Sequence, residues 1–180
     1  AHPPKRRRSR GVEAVARREA SDVGEVIVTA LERSGAGGMT TSELQITAGL
    51  TPADLQRALN QLAVSGDIHE GRRGTWYSAG VVHAAEEAVT AALARLHARQ
   101  PLLRGAALND VAAAVAKSPD ERAAFRLAVN RLRDSGALTV FGDRLALACH
   151  EPQWLGRDAA ARGKILAFLG QVGIAVPPLQ

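Results

Sequence analysis

Aromatic residues are scarce in this 180-residue chain: two Trp, one Tyr and three Phe amount to 3% of it. A broad aromatic core is excluded, and packing falls to aliphatic side chains. The single cysteine, Cys149, excludes an internal disulfide and fits a reducing compartment. No apolar run approaches the roughly 18–20 residues of a membrane-spanning helix. The basic amino terminus is followed by no apolar core or cleavage site, so this stretch is not expected to be a secretory signal. His2, His69, His83, His97 and His150 are scattered without zinc-ligand spacing. Cys149 and His150 are sequence neighbours, but a nucleophile needs a base positioned in space and usually a third orienting group. Gly163-Lys164 is followed by Ile165, and Asp158 stands where a phosphate-binding loop requires its first glycine. The chain is therefore expected to be no enzyme and to hold no metal or cofactor.

The nine-letter hydrophobic set reaches 46% and charged residues 23%, a folding composition. Much of the apolar share is alanine, which favours helix. The net charge is +5 and the pI about 10.3. Residues 1–20 hold seven Lys/Arg against two Glu, and residues 21–180 hold sixteen basic and sixteen acidic residues. The whole excess lies in an amino-terminal arm, and the body is neutral. The chain opens Ala-His-Pro-Pro without an initiator Met and closes Val-Pro-Pro-Leu-Gln, so we expect a piece of a longer chain.

An internal repeat organises the body. Thr51-Pro52-Ala53-Asp54 and Ser118-Pro119-Asp120-Glu121 each place a hydroxyl at N-cap, Pro at the first helical position and an acid three residues after the cap. The hydroxyl accepts from an orphan N–H, Pro has no N–H to leave unpaired, and the carboxylate suits the positive helix end. Asn60-Gln61-Leu62 runs to Ser65-Gly66, and Asn130-Arg131-Leu132 to Ser135-Gly136, where glycine can stop the helix. The starts are 67 residues apart and the ends 70, predicting a second helix about one turn longer. A two-stranded hairpin is expected after each glycine. In the first, Asp67–Glu70 and Thr75–Ser78 flank Gly71-Arg72-Arg73-Gly74. In the second, Ala137–Phe141 and Arg144–Ala148 flank Gly142-Asp143, with Leu138/Val140 and Leu145/Leu147 as the alternating apolar positions.

Two helical stretches precede each capped helix. Val23, Ile27 and Leu31 mark one, and the capping box Thr40-Thr41-Ser42-Glu43, ahead of Leu44 and Ile46, marks the next. In the second half, Val82 to Ala98 carries Val89, Leu93 and Leu96 before Pro101, and Leu108 to Ala116 comes after it. Helix, helix, helix, hairpin is the winged-helix form of helix-turn-helix. The expected fold is mainly α with short β-hairpin wings, as tandem winged-helix domains. The expected division is a basic arm at 1–20, winged helices at 21–79 and 80–149, and the start of a third unit at 150–180. There, Asp158 to Val172 carries Ile165, Leu166 and Leu169 in helical register, and Trp154 is a candidate anchor against the second unit.

These residues resemble the carboxy-terminal extension of the bacterial selenocysteine-specific translation elongation factor. Pro3-Pro4-Lys5-Arg6-Arg7-Arg8 looks like the passage leaving that family's GTPase body. Gly74-Thr75-Trp76-Tyr77-Ser78 is similar to the second strand of its first wing. Leu96 to Gly105 looks like its helix-to-loop segment, and Gly142 to Leu147 with His150-Glu151-Pro152 resembles the second wing and the entry to the third unit. The resemblance covers essentially the whole chain. It implies a factor that delivers selenocysteinyl-tRNA to the ribosome at a recoded UGA codon while its extension holds a messenger-RNA hairpin. GTP and magnesium would belong to the upstream part of that parent. Hairpin reading would belong to later winged helices, so those residues have no positions here. The implied partners are RNA, as ribosome or mRNA hairpin, the remainder of the parent factor, and through it the tRNA. No membrane is implied, and the implied location is cytoplasmic.

The candidate phosphate contacts fall in three groups. Lys5, Arg6, Arg7, Arg8 and Arg10, with Arg17 and Arg18, can lie along RNA; the alternative is a solvated linker. Arg72 and Arg73 occupy the first wing tip. Arg122, Arg126 and Arg133 fall within about 40° of one another at 100° per residue, beside Phe125 and Leu132, which should face the core. The matching helix of the first unit offers Gln56, Arg57, Asn60 and Gln61 with Asp54 near its start, a poor DNA-reading face. Trp76, Tyr77 and Phe141 are expected to close cores rather than stack on bases. Two competing functions are a tandem winged-helix DNA-binding regulator and a winged-helix protein-interaction module.

Overall fold

The computed structural model describes residues 22–154 and 156–172. Helix α1 (22–34) buries Ile27 and Leu31, four residues apart on one face. A 3-10 turn, Gly35–Gly37, leads into strand β1 (Met39–Thr40). Helix α2 (Thr41–Ala48) starts on a complete capping box. The Thr40 hydroxyl accepts from the Glu43 N–H, and the Glu43 carboxylate accepts from the Thr40 N–H at 2.7 Å. That backbone bond holds the Glu43 carboxyl below its usual range. Leu44 is buried, but Ile46 is 83% exposed. Residues two apart on a helix point about 200° apart, so the two apolar positions cannot share a core.

Helix α3 (Pro52–Ser65) begins at Thr51, whose hydroxyl accepts from the Asp54 N–H, and ends at the left-handed Gly66. Leu55 and Leu59 are its buried face. Strands β2 (Ile68–Glu70) and β3 (Thr75–Ser78) come next, joined through a 3-10 turn at Arg72–Gly74. Helix α4 (Ala79–Arg99) begins directly after β3; its 21 residues span about 32 Å.

The second repeat retraces this path with β4 (Ala106–Ala107), α5 (Leu108–Val115), α6 (Pro119–Asp134), β5 (Leu138–Phe141) and β6 (Arg144–Leu147). Ser118 and Glu121 form the capping box of α6. Helix α6 has 16 residues against 14 in α3, so the lengthening is about half a turn rather than one.

Each wing has three strands, not two. β1 pairs antiparallel with β3, giving the order β1-β3-β2, and β4 pairs with β6, giving β4-β6-β5. Met39 lies opposite Trp76, and Ala106 opposite Leu145. The expected alternation also shifts. Leu138, Leu145 and Ala146 are buried, but Val140 is 41% exposed. β6 is the middle strand, so it is flanked on both edges, whereas Val140 lies toward the turn of an edge strand.

Ile27, Leu31, Leu44, Leu55, Leu59, Ile68 and Trp76 form one core. Val89, Leu93, Val111, Phe125, Val129, Leu138 and Leu145 lead the other. Full burial of each such side chain contributes roughly 1.5–3 kcal/mol. A third, smaller cluster joins the two repeats, where Tyr77 of β3 packs on Val82 of α4 and Ala124 of α6. Burial, then the nearby Asp120 carboxylate, push the Tyr77 phenol up. Arg131 of α6 reinforces the junction. Its Nε donates to Glu86 of α4 at 2.8 Å, and its Nη1 donates to His69 Nδ1 of β2 at 3.0 Å.

Helix α7 (Gly156–Val172) leaves Ile165, Leu166 and Phe168 exposed. The Trp154 indole is half exposed, and the Arg162 guanidinium of α7 sits 5.7 Å from its ring centroid. No helix among the described residues is long and apolar enough to cross a membrane.

Candidate nucleic-acid interface

The second helix-turn-helix pair carries a basic groove. Helices α5 and α6 enclose a depression of about 220 Å³ lined by Asn109, Ala112 and Ala113 on one side and Arg122, Phe125 and Arg126 on the other. Ser118 and Pro119 fix where α6 begins, which sets the rotation of the helix. Phe125 then enters the core, and Arg122 and Arg126 face outward and are exposed. Among the described residues neither guanidinium has an ion-pair partner. Four residues at 1.5 Å each put the two Cα positions about 6 Å apart along the axis. The alanines keep the α5 wall low.

The third arginine of the expected stripe behaves differently. Arg133 shares the exposed face, but its Nε and Nη2 both donate to Asp134 Oδ1, at 3.0 and 2.9 Å. That carboxylate offsets its charge, so among the described residues the stripe narrows to two cations without an ion-pair partner. Arg131, on the opposite side of the helix, is held by Glu86 and His69.

The equivalent surface of the first repeat is neutral. Arg57 is paired with Asp54, and Gln56 Nε2 donates to Asn60 Oδ1 at 3.0 Å. Arg72 and Arg73 project from the first wing tip and are exposed. Arg73 holds φ at 59°, a left-handed conformation uncommon outside glycine. Lys5, Arg6, Arg7, Arg8, Arg10, Arg17 and Arg18 lie outside the described residues.

Wing aromatics serve packing. Trp76 and Tyr77 are buried, and Trp76 Nε1 donates to Thr41 Oγ1 at 3.1 Å. Phe141 is half-buried.

Histidine geometry departs most from expectation. His97, in the last turn of α4, stacks on His150 with ring centroids 3.5 Å apart and planes 12° off parallel. His150 Nε2 lies 2.9 Å from the Leu103 carbonyl and donates to it. Both ring nitrogens of buried His97 are without a partner among the described residues. Burial, then repulsion from His150, lower its pKa. Cys149, the neighbour of His150 in sequence, is exposed. No group of three or more metal-ligating side chains assembles among the described residues.

Sequence spacing placed Arg122 and Arg126 correctly on one face but missed Asn109. The signal was its position in the first turn of the helix preceding the capped one. Arg131, Glu86 and His69 carried no local signal, being 45 and 62 residues apart.

The fold so described is that of tandem winged helices: mainly helical, with two small antiparallel sheets. No protein-family model and no curated protein sequence matches the chain. Among solved structures it is similar to the mRNA-binding domain of elongation factor SelB from E. coli in complex with SECIS RNA. The TM-score is 0.50 at 14% identity, covering 71% of this chain and 98% of that one. At that identity the likeness is one of fold.

Proposed function

We propose that this chain is part of a selenocysteine-specific translation elongation factor. Its tandem winged helices, 21–79 and 80–149, would join the GTPase and tRNA-binding body to the mRNA-hairpin-binding tip during UGA recoding. The observation that carries the reading is the junction. β3 runs into α4 without a linker, and Tyr77, Val82 and Ala124 pack across it. Two units fixed in this way can set a distance and an angle between two functional ends. The fold likeness to an mRNA-binding domain supports the choice of RNA over other partners, as does the basic arm.

The chain acts in this reading by position and charge, without catalysis. GTP and magnesium belong to the body of the parent, selenocysteinyl-tRNA reaches the complex through that body, and the setting is the cytoplasmic ribosome. The neutral α3 face does not favour a DNA-reading regulator.

Gel shifts of residues 1–180 test it, with a SECIS-type hairpin and a scrambled RNA of the same composition. Comparable, salt-sensitive binding of both is expected. Tight binding confined to the hairpin would overturn the spacer role. No binding of either at low salt would overturn the RNA association. A footprint on a defined DNA duplex would favour the regulator.

A further inference from the structure

The two repeats share a backbone plan but not a surface. In α3 the polar groups satisfy one another: Arg57 with Asp54, and Gln56 with Asn60. In α6 two of the four arginines are held by carboxylates, Arg131 by Glu86 and Arg133 by Asp134. Arg122 and Arg126 remain, side by side on the rim of the α5/α6 groove.

We infer that this groove is a docking surface for the sugar-phosphate backbone of a single RNA strand. The inference rests on the RNA-associated function proposed for the chain and assigns the contact to one face of one repeat. Charge complementarity names the occupant. Arg122 and Arg126, without ion-pair partners among the described residues and one helical turn apart with a rise of about 6 Å, can reach neighbouring phosphates of one strand, and each can bind a phosphate in the forked geometry of Arg. The floor of Phe125 and alanine methyls lowers the local dielectric and strengthens both contacts. Asn109 adds an amide on the opposite wall, suited to a ribose hydroxyl or phosphate oxygen. The low alanine wall leaves room for the strand to enter.

The wing decides between one strand and two. A duplex seated on α6 would bring its second backbone toward the second wing, as in winged helices that press a basic wing tip on DNA. Here that tip is Gly142-Asp143. Asp143 is exposed, and the neighbouring Arg144 is drawn to the Gly105 carbonyl at 2.9 Å, so the tip offers no net positive charge to a second phosphate chain. A lone strand confined to the groove needs none.

Fluorescence anisotropy of a labelled oligouridylate with the full chain, titrated across KCl concentration, is the test. It compares wild type, Arg122→Gln/Arg126→Gln, and Arg33→Gln/Arg57→Gln, a control that removes the same charge from the first repeat. All four arginines are exposed, and circular dichroism checks that the variants fold. Losing two single-strand phosphate contacts lowers the log–log salt slope by about 1.4 and weakens binding about 25-fold at 0.1 M salt, the curves converging toward 1 M. The control keeps the wild-type slope. If wild type binds and the groove variant keeps its slope, the groove is refuted while RNA association stands. An equal loss in the control refutes the groove as well, because bulk charge then explains the binding. Tighter binding of a DNA duplex, or of a poly-glutamate peptide, than of oligouridylate overturns the single-strand assignment. If wild type binds none of them, the RNA-associated reading fails together with the groove.

Discussion

Substituting two glycines tests how the repeats close. Gly38 and Gly105 each stand one residue before the short first strand of a wing, opposite the middle strand. A Cβ on Gly38 would lie 2.6 Å from the Trp76 carbonyl oxygen and 2.8 Å from Tyr77 Cε1. One on Gly105 would lie 2.5 Å from the Leu145 carbonyl oxygen and 2.8 Å from Phe141 Cζ. Trp76 and Leu145 are the residues paired with Met39 and Ala106, so the offending carbonyls cannot retreat without opening the ladder. Gly38 also holds φ 63° and ψ −169°, a region essentially restricted to glycine. Backbone strain and overpacking together put Gly38→Ala at about 3 kcal/mol or more. Gly105→Ala meets the clash alone and should cost about 1–3 kcal/mol. Gly49→Ala separates the two effects. Gly49 is left-handed with nothing near its Cβ position, so that change should cost about 1 kcal/mol. Urea unfolding by circular dichroism gives the whole chain, and fluorescence of buried Trp76, read in a Trp154→Phe background, reports the first repeat. A Gly38→Ala protein within about 0.5 kcal/mol of wild type, or less perturbed than Gly49→Ala, would refute the close-approach argument.

The polar contacts give two further outcomes. Arg131→Ala removes a partly exposed pair, so it should cost only about 1 kcal/mol in urea unfolding. Burial and then the Arg131 charge lower the His69 pKa while Glu86 raises it, so the same change should move the His69 NMR titration to higher pH. An unmoved titration would show that the guanidinium is not held at the junction. His97 and His69 are both depressed below the ordinary 6.5 in the folded chain. The unfolded chain then binds more protons as pH falls below that value, so stability is full above it and declines down through the folded pKa values. The urea midpoint should be lower at about pH 5.5 than at about pH 7.5, and His97→Phe, which keeps an aromatic ring on His150, should narrow the difference. An unchanged difference in that variant would exclude His97 as a source.

The parts of the fold written over short distances were legible. Thr51-Pro52 and Ser118-Pro119 announce helix starts because a cap needs only its own first turn. Arg122 and Arg126 were placed on one face by spacing alone. Strands β1 and β4 were not legible: two residues carry no alternation, and their pairing depends on partners 35 to 39 residues away. The pairing of Arg133 with Asp134 was equally hidden, since adjacent helical residues do not normally face each other. The His97–His150 stack joins residues 53 apart and has no counterpart in either sequence neighbourhood.

Helix α6 presents three faces at once. Phe125, Val129 and Leu132 enter the core of the second repeat. Ala124, Leu127 and Arg131, roughly half a turn away, meet Tyr77, Val82, Glu86 and His69 at the junction. Arg122 and Arg126 face outward over the α5/α6 groove. A strand held on the outer face therefore acts on the same rigid rod that grips α4 and the first wing. The load path crosses no flexible linker, because β3 continues straight into α4. The first repeat, whose matching helix ties its own charges together, needs no ligand of its own to serve in this arrangement. In the function proposed above it would hold the second repeat at a set angle, and the difference between the two helix surfaces would divide mounting from contact.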